Sequence, residues 1–217
     1  MTYHNYIFFC IDKPYYDLSS QKKLKLKNEF FITVEKNPDI AYSSYTLLGF
    51  KGQIVFMLWL QADSPSTLQE QVNSLMQTSL GRYLCIRHTL FGAVRSSQYS
   101  VDKNDQRETK RHGGMYLIIY PFTKTQTWYN LSFAKRRLLM KGHIQIGHKY
   151  PQITQLLLYS IGIDDSEFIV SYETDDLLDF QTLVMDLRSD KVRNYTLKDT
   201  PIFTCIFRPL KETLNFI

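Results

Sequence analysis

The chain has 217 residues, 44% of them hydrophobic and including 15 Tyr and 14 Phe, enough apolar material for one large domain or two of about 100 residues each. No run of roughly 20 apolar residues exists, which excludes a helical membrane span, and the opening MTYHNYIFFCID lacks the features of a secretory leader. A formal charge of +5 admits an anionic partner without identifying one.

Residues 3–11 form an aromatic and β-branched run closed by Pro14, the pattern of a strand. Asp17, Ser19 or Ser20 can cap a helix over 19–35 carrying Leu24, Leu26, Phe30, Phe31 and Val34. The segments 43–50 and 52–61 read as two strands joined at Lys51–Gly52. Ser64–Pro65 starts a helix bearing Leu68, Val72, Leu75 and Met76; Gly81 stops it, and 83–95 returns as a strand. The order is βαββαβ, one ferredoxin-like unit.

A polar stretch over 96–114 follows, then the same order again: strand 115–122, helix 131–149, strands 153–161 and 166–173, helix 175–187 and strand 201–208. The expected fold is therefore α+β, two tandem ferredoxin-like repeats of the dimeric α+β barrel type. Residues 1–97 form the first half, 98–114 the connecting loop and 115–217 the second half. No sequence identity between the halves is evident, so the repeat is one of pattern.

Cys10, Cys85 and Cys205 lie far apart, each in an apolar run. They read as buried thiols in a reducing, cytoplasmic setting rather than as a disulfide framework.

The segment 131–149, LSFAKRRLLMKGHIQIGHK, is the most unusual of the chain: Lys135, Arg136, Arg137, Lys141 and Lys149 occur with no acid among them. Helical spacing puts Leu139, Met140, His143, Ile144 and Gly147 on one face, with most of the cations beside or opposite it. The plainer reading is a core-edge histidine on a solvated basic helix. The sharper one is an axial ligand to haem iron, with cations neutralising propionates.

Tyr120 and Lys124 end a strand and open a loop, a place from which side chains project into sites, although a strand-end tyrosine is commonly packing. Glu167 suits a partner for His143 or Lys124. Glycine-rich phosphate loops and a GxSxG are absent, and acids interrupt the basic stretch 103–112, which argues against nucleic acid as a partner.

The string YPF-x-K, followed by WYNLSFAKRRLLMKGH-x-x-IGHKY, SIGIDDSEFIVSYETDD and FQTLVMDLRSDKV-x-x-Y, resembles the chlorite dismutase superfamily and within it the coproheme decarboxylases. In the first half LLGFKGQIVFMLWL, LGRYL and RSSQY agree with the same pattern. The resemblance implies a homo-oligomer, typically a pentamer, with haem b or coproheme in the C-terminal half. It also implies peroxide-dependent conversion of two propionates of iron coproporphyrin III to vinyls, an oxidoreductase step of haem biosynthesis.

Carried over by position, the resemblance makes His143 the proximal iron ligand, Tyr120 the radical-bearing tyrosine and Lys124 a propionate contact, with Trp128 beside the porphyrin. It puts Leu156 where chlorite dismutases keep an Arg and many decarboxylases a Gln, so chlorite dismutation is not expected. Phe122 stands for a Met, Arg193 for a Ser near the propionates, and Lys191 for an acid that orients the proximal histidine. The alternative implied by these departures is a degenerate member that keeps fold and oligomer without haem catalysis.

Overall fold

The computed structural model describes residues 2–96, 99 and 111–217; the expected loop over 98–114 therefore lies largely outside the described residues. In chain order the elements are β1 (Tyr3–Ile11), α1 (Ser20–Glu35), β2 (Ala41–Thr46), β3 (Phe56–Ala62), α2 (Pro65–Gln77) and β4 (Leu84–Ala93). There follow β5 (Tyr116–Lys124), α3 (Gln126–Tyr129), α4 (Phe133–Gly147), β6 (Thr154–Tyr159), β7 (Phe168–Thr174) and α5 (Leu177–Ser189). The chain ends with β8 (Thr196–Lys198), β9 (Phe203–Phe207) and α6 (Leu210–Asn215). It divides into two compact units, 1–93 with 203–217, and 94–202.

The first unit has the βαββαβ order read from the sequence. Its antiparallel strands run β4-β1-β3-β2, and β9 adds beyond β2 through Tyr45↔Phe207 and Thr46↔Ile206. This corrects the assignment of 201–208 to the second half: the chain returns to the first unit for its last strand and helix.

Strand alternation sends Ile7, Phe9, Leu58 and Leu60 toward Leu26, Phe30 and Val34 of α1, Leu68 and Leu75 of α2, and Leu210 and Leu214 of α6. Burying each of these side chains contributes roughly 1.5–3 kcal/mol before entropy is set against it. Of the residues expected in the α1 stripe, Leu24 is the exception at 59% exposure. Ser19 is the cap, its side chain accepting from the Lys22 N–H. The β2–β3 hairpin exists, but residues 47–55 form the connection, closed by the Leu47 N–H donating to the Val55 carbonyl, so the turn is wider than Lys51–Gly52.

Cys10 and Cys85 are directly opposed across β1 and β4, Cα to Cα 5.2 Å, and are joined as a disulfide. The expectation of three free thiols therefore holds for buried Cys205 alone. Antiparallel pairing brings together residues 75 positions apart, which spacing rules cannot reveal, and cysteine usage no longer speaks for a reducing compartment. Among the described residues no helix is long and apolar enough to cross a membrane.

The second unit is an antiparallel sheet in the order β8-β5-β7-β6. Its helices start on local signals: the Ser132 side chain accepts from the Lys135 N–H at α4, and the Asp176 carboxylate from the Leu178 and Asp179 N–H groups at α5. The short β8, which is three residues long and directly follows a 3-10 turn over Lys191–Tyr195, takes the place expected for strand 201–208. Glu173, 6% exposed, accepts from the backbone N–H groups of His112, Gly113 and Gly114, and so fixes the entry to β5.

Candidate functional site

The pairing register of the second sheet decides which side chains share a face. Gln155 lies opposite Tyr172, which lies opposite Ile118; Leu157, Val170 and Tyr120 form the next row, and Tyr159, Phe168 and Phe122 the third. Side chains alternate along each strand, so these rows point one way, while Leu156, Ser171 and Ile119 point the other. Over the first face α4, α5 and the 3-10 turn enclose a cavity of about 410 Å³, within the roughly 300–1,000 Å³ usual for small-molecule sites.

Of the residues singled out from the sequence, Tyr120, Phe122, Lys124, Trp128, His143 and Arg193 all line this cavity. Leu156 does not. It is 5% exposed on the opposite face of the sheet, and Gln155 and Leu157 line the cavity in its stead. The run TQLLLY carries no polar–apolar alternation over its three leucines, so the phase of this strand cannot be read from it.

α4 has no fully buried residue, although Met140, His143, Ile144 and Gly147 line the cavity. The expected helical face is thus present, without Leu139. His143 Nδ1 stands 3.4 Å from Asp190 Oδ2. Asp190 is not part of the lining; it lies behind the imidazole, which leaves Nε2 as the nitrogen available to the cavity. A carboxylate thus stands beside the histidine, one residue before the exposed Lys191. Burial lowers the pKa of His143, the nearby Lys124 charge lowers it further, and Asp190 opposes both; the direction is toward a neutral imidazole, the form that binds metal.

Lys124 extends across the Trp128 ring, Nζ 4.9 Å from its centroid, and lies 5.5 Å from that of Phe122. Desolvation brings its pKa down to about 8, with Glu167 and Asp190 opposing and Arg193 adding to the fall. The Glu167 carboxylate accepts from the Lys124 backbone N–H at 2.7 Å and from the Tyr129 hydroxyl, so it is a partner of the Lys124 segment rather than of His143.

Arg193 donates to Asp199 at 2.6 Å, and Arg188 stands 3.6 Å from the same carboxylate oxygen. Sequence reasoning had no signal for Arg188, in the last turn of α5, or for Asp199, which follows β8. Tyr120 is buried enough to raise its phenol pKa, and its ring stacks on that of Tyr172, centroids 6.2 Å apart.

Among the described residues no three His, Cys, Asp or Glu side chains cluster as ligands for a bare ion. One neutral imidazole backed by a carboxylate instead suits a metal whose other ligands come with it, as a porphyrin supplies them. Apolar rings and aliphatic side chains on the floor suit the macrocycle, and Lys124, Arg136, Arg188 and Arg193 suit its carboxylates. The residues present fit an iron porphyrin.

The chain superposes on an arginine-to-glutamate variant of chlorite dismutase from Candidatus Nitrospira defluvii with a TM-score of 0.92 at 27% identity, covering 99% of this chain and 94% of that one. It matches the same organism's chlorite dismutase in complex with imidazole with a TM-score of 0.91 at 27% identity, covering 99% and 94% of the two chains. The model of the family described as chlorite dismutase matches residues 21–208. The chain belongs to the chlorite dismutase family.

Proposed function

We propose that this protein binds an iron porphyrin through His143 and acts as a peroxide-dependent coproheme decarboxylase. The observation that carries the reading is the imidazole of His143 set 3.4 Å from Asp190 in the wall of an apolar cavity that also holds Tyr120 and four cations. The family includes haem-binding members, and a chlorite dismutase in complex with imidazole is among the similar structures.

When bound, the iron porphyrin supplies the oxidising power drawn from peroxide. The chain's own residues do the rest. Asp190 holds the His143 proton on Nδ1 and directs Nε2 to the metal. Lys124, charged below about pH 8, and Arg188 and Arg193 on the Asp199 side take the propionate carboxylates. Tyr120, as a phenoxyl, takes a hydrogen atom from the propionate carbon next to the ring; loss of carbon dioxide and one further electron leaves a vinyl group. Each vinyl thus costs two electrons, the number that reduces one peroxide to water.

Gln155, next to Leu156 in sequence and on the cavity face of β6, presents a neutral hydrogen-bonding group to the cavity. It supports peroxide rather than chlorite as the oxidant. The non-catalytic alternative rests on Leu156, Phe122 and Lys191; of these Phe122 lines the cavity, and Leu156 and Lys191 do not. A homopentamer belongs to the same proposal, and light scattering of the purified protein tests it. The function is tested by adding peroxide to the coproheme-loaded protein and following vinyl formation by mass: the wild type forms product and Tyr120→Phe does not. Wild-type protein that binds coproheme without losing carbon dioxide refutes it.

A further inference from the structure

Two guanidinium groups converge on one carboxylate oxygen in the cavity wall. Arg193 donates to Asp199 Oδ2 at 2.6 Å, a charge-assisted hydrogen bond, while Arg188 stands 3.6 Å from the same oxygen, too far for one. All three side chains line the cavity, and Arg188 is about half exposed against about a third for Arg193. An arginine keeps its charge at any pH the fold survives, so a single carboxylate leaves one positive charge of the pair unmatched. Asp199 thus makes with Arg188 and Arg193 the contacts that a carboxylate on a ligand would make. The pairing of β8 with β5 fixes where this happens. Lys198 lies opposite Thr123 and the strands are antiparallel, so Asp199 comes beside the stretch of β5 that carries Phe122 and Tyr120.

We propose that Asp199 is a specificity-determining residue, an internal carboxylate that holds the arginine pair before a ligand arrives and yields Arg188 to the ligand carboxylate nearest Tyr120. The longer and more exposed contact is the one that opens, and Arg193 stays anchored. Because Asp199 already occupies the pair, a ligand finds it available only part of the time; a pair free about one time in ten binds about tenfold more weakly. A porphyrin that carries a carboxylate beside Tyr120 offsets this loss. One whose carboxylate has left as carbon dioxide does not, so Arg188 returns to Asp199 and product exchanges for fresh substrate. This inference rests on the reading of Tyr120 as the reacting phenol, whereas the competition between Asp199 and a ligand carboxylate rests on the ion-pair geometry alone.

The test titrates coproheme, metal-free coproporphyrin and haem b into wild type and Asp199→Asn. Asparagine keeps an oxygen for Arg193 and removes the charge that holds Arg188. The variant is expected to bind coproheme and metal-free coproporphyrin about tenfold more tightly, since the effect acts on carboxylates and needs no iron, and to bind haem b as wild type does. The gain shrinks at high salt, which screens an exposed guanidinium, and disappears when Arg188→Met is added. Arg188→Met alone leaves the Arg193–Asp199 bond intact and is expected to lower coproheme affinity while sparing haem b; it decides the matter where Asp199→Asn melts early. Coproheme affinity that is not raised in an Asp199→Asn variant with a wild-type melt, or not lowered in Arg188→Met, overturns the competition. An equal gain for haem b overturns its placement at the reacting carboxylate. Tighter binding by Asp199→Asn with no vinyl formed by wild type overturns the reading of Tyr120 and leaves the competition standing. No saturable binding of any of the three porphyrins overturns the iron-porphyrin reading and this inference with it.

Discussion

Asp190 Oδ2 lies 3.4 Å from Nδ1 of His143, on the side of the imidazole away from the cavity. The contact joins the end of α5 to the middle of α4 and sets a carboxylate against the imidazole, while burial moves His143 toward its neutral form. Asp190→Asn keeps the shape and removes the charge. It is expected to weaken porphyrin affinity by about 10–100-fold, measured by absorbance titration, with thermal stability little changed.

Gln155 and Leu156 are neighbours in sequence with opposite roles. Leu156→Ala is expected to cost about 2–5 kcal/mol of stability, because it empties a buried site on the far face of the sheet, and to leave porphyrin affinity intact. Gln155→Leu is expected to do the reverse, sparing stability and slowing the reaction with peroxide. Denaturant melts and stopped-flow mixing of the two variants separate these roles.

Lys124 gives the site a pH dependence. Its ammonium is present below about pH 8 and lost above it, so affinity for a carboxylate-bearing porphyrin is expected to fall as pH rises through about 8. Lys124→Met lowers affinity at pH 7 and flattens that limb of the profile.

His4 gives the first unit an acid limb of its own. It is fully buried, its Nδ1 accepts from the Trp59 indole N–H at 2.9 Å, and burial lowers its pKa to about 3. Between its unfolded value of 6.5 and about 3, the unfolded chain binds a proton that the folded one does not. The stability from neutral His4 is therefore complete above 6.5 and lost as pH falls toward about 3, at up to about 1.4 kcal/mol per pH unit. His4→Gln, which can still accept from Trp59, is expected to flatten this limb in pH-dependent denaturant melts.

Glu173 is expected to matter for folding alone. Glu173→Ala leaves the N–H groups of His112, Gly113 and Gly114 without their acceptor and should cost about 3 kcal/mol in a thermal melt. Gly114→Ala should also destabilise, since a Cβ there would lie 2.7 Å from the Thr174 backbone nitrogen.

Much of this was legible in the sequence. The βαββαβ order followed from period and punctuation, and Ser19 was among the caps read for its helix. His143 could be found because a histidine on an apolar helical face within a wholly basic segment is unusual. Relations fixed by tertiary register were not legible. Leu156 was misplaced because a triple leucine hides strand phase. Asp190 was missed because a 3-10 turn, rather than a continued helix, decides which residue faces α4. Cys10 and Cys85 meet only through strand pairing, and β9 leaves its half of the sequence to pair with β2.

The central claim, that His143 holds an iron porphyrin in this cavity, is tested most directly by titrating coproheme and haem b into purified apo-protein and following the Soret band. A saturable shift in wild type that is lost in His143→Ala and weakened in Asp190→Asn is the expected result. The absence of a saturable shift in wild type, or an equal shift in His143→Ala, would contradict it.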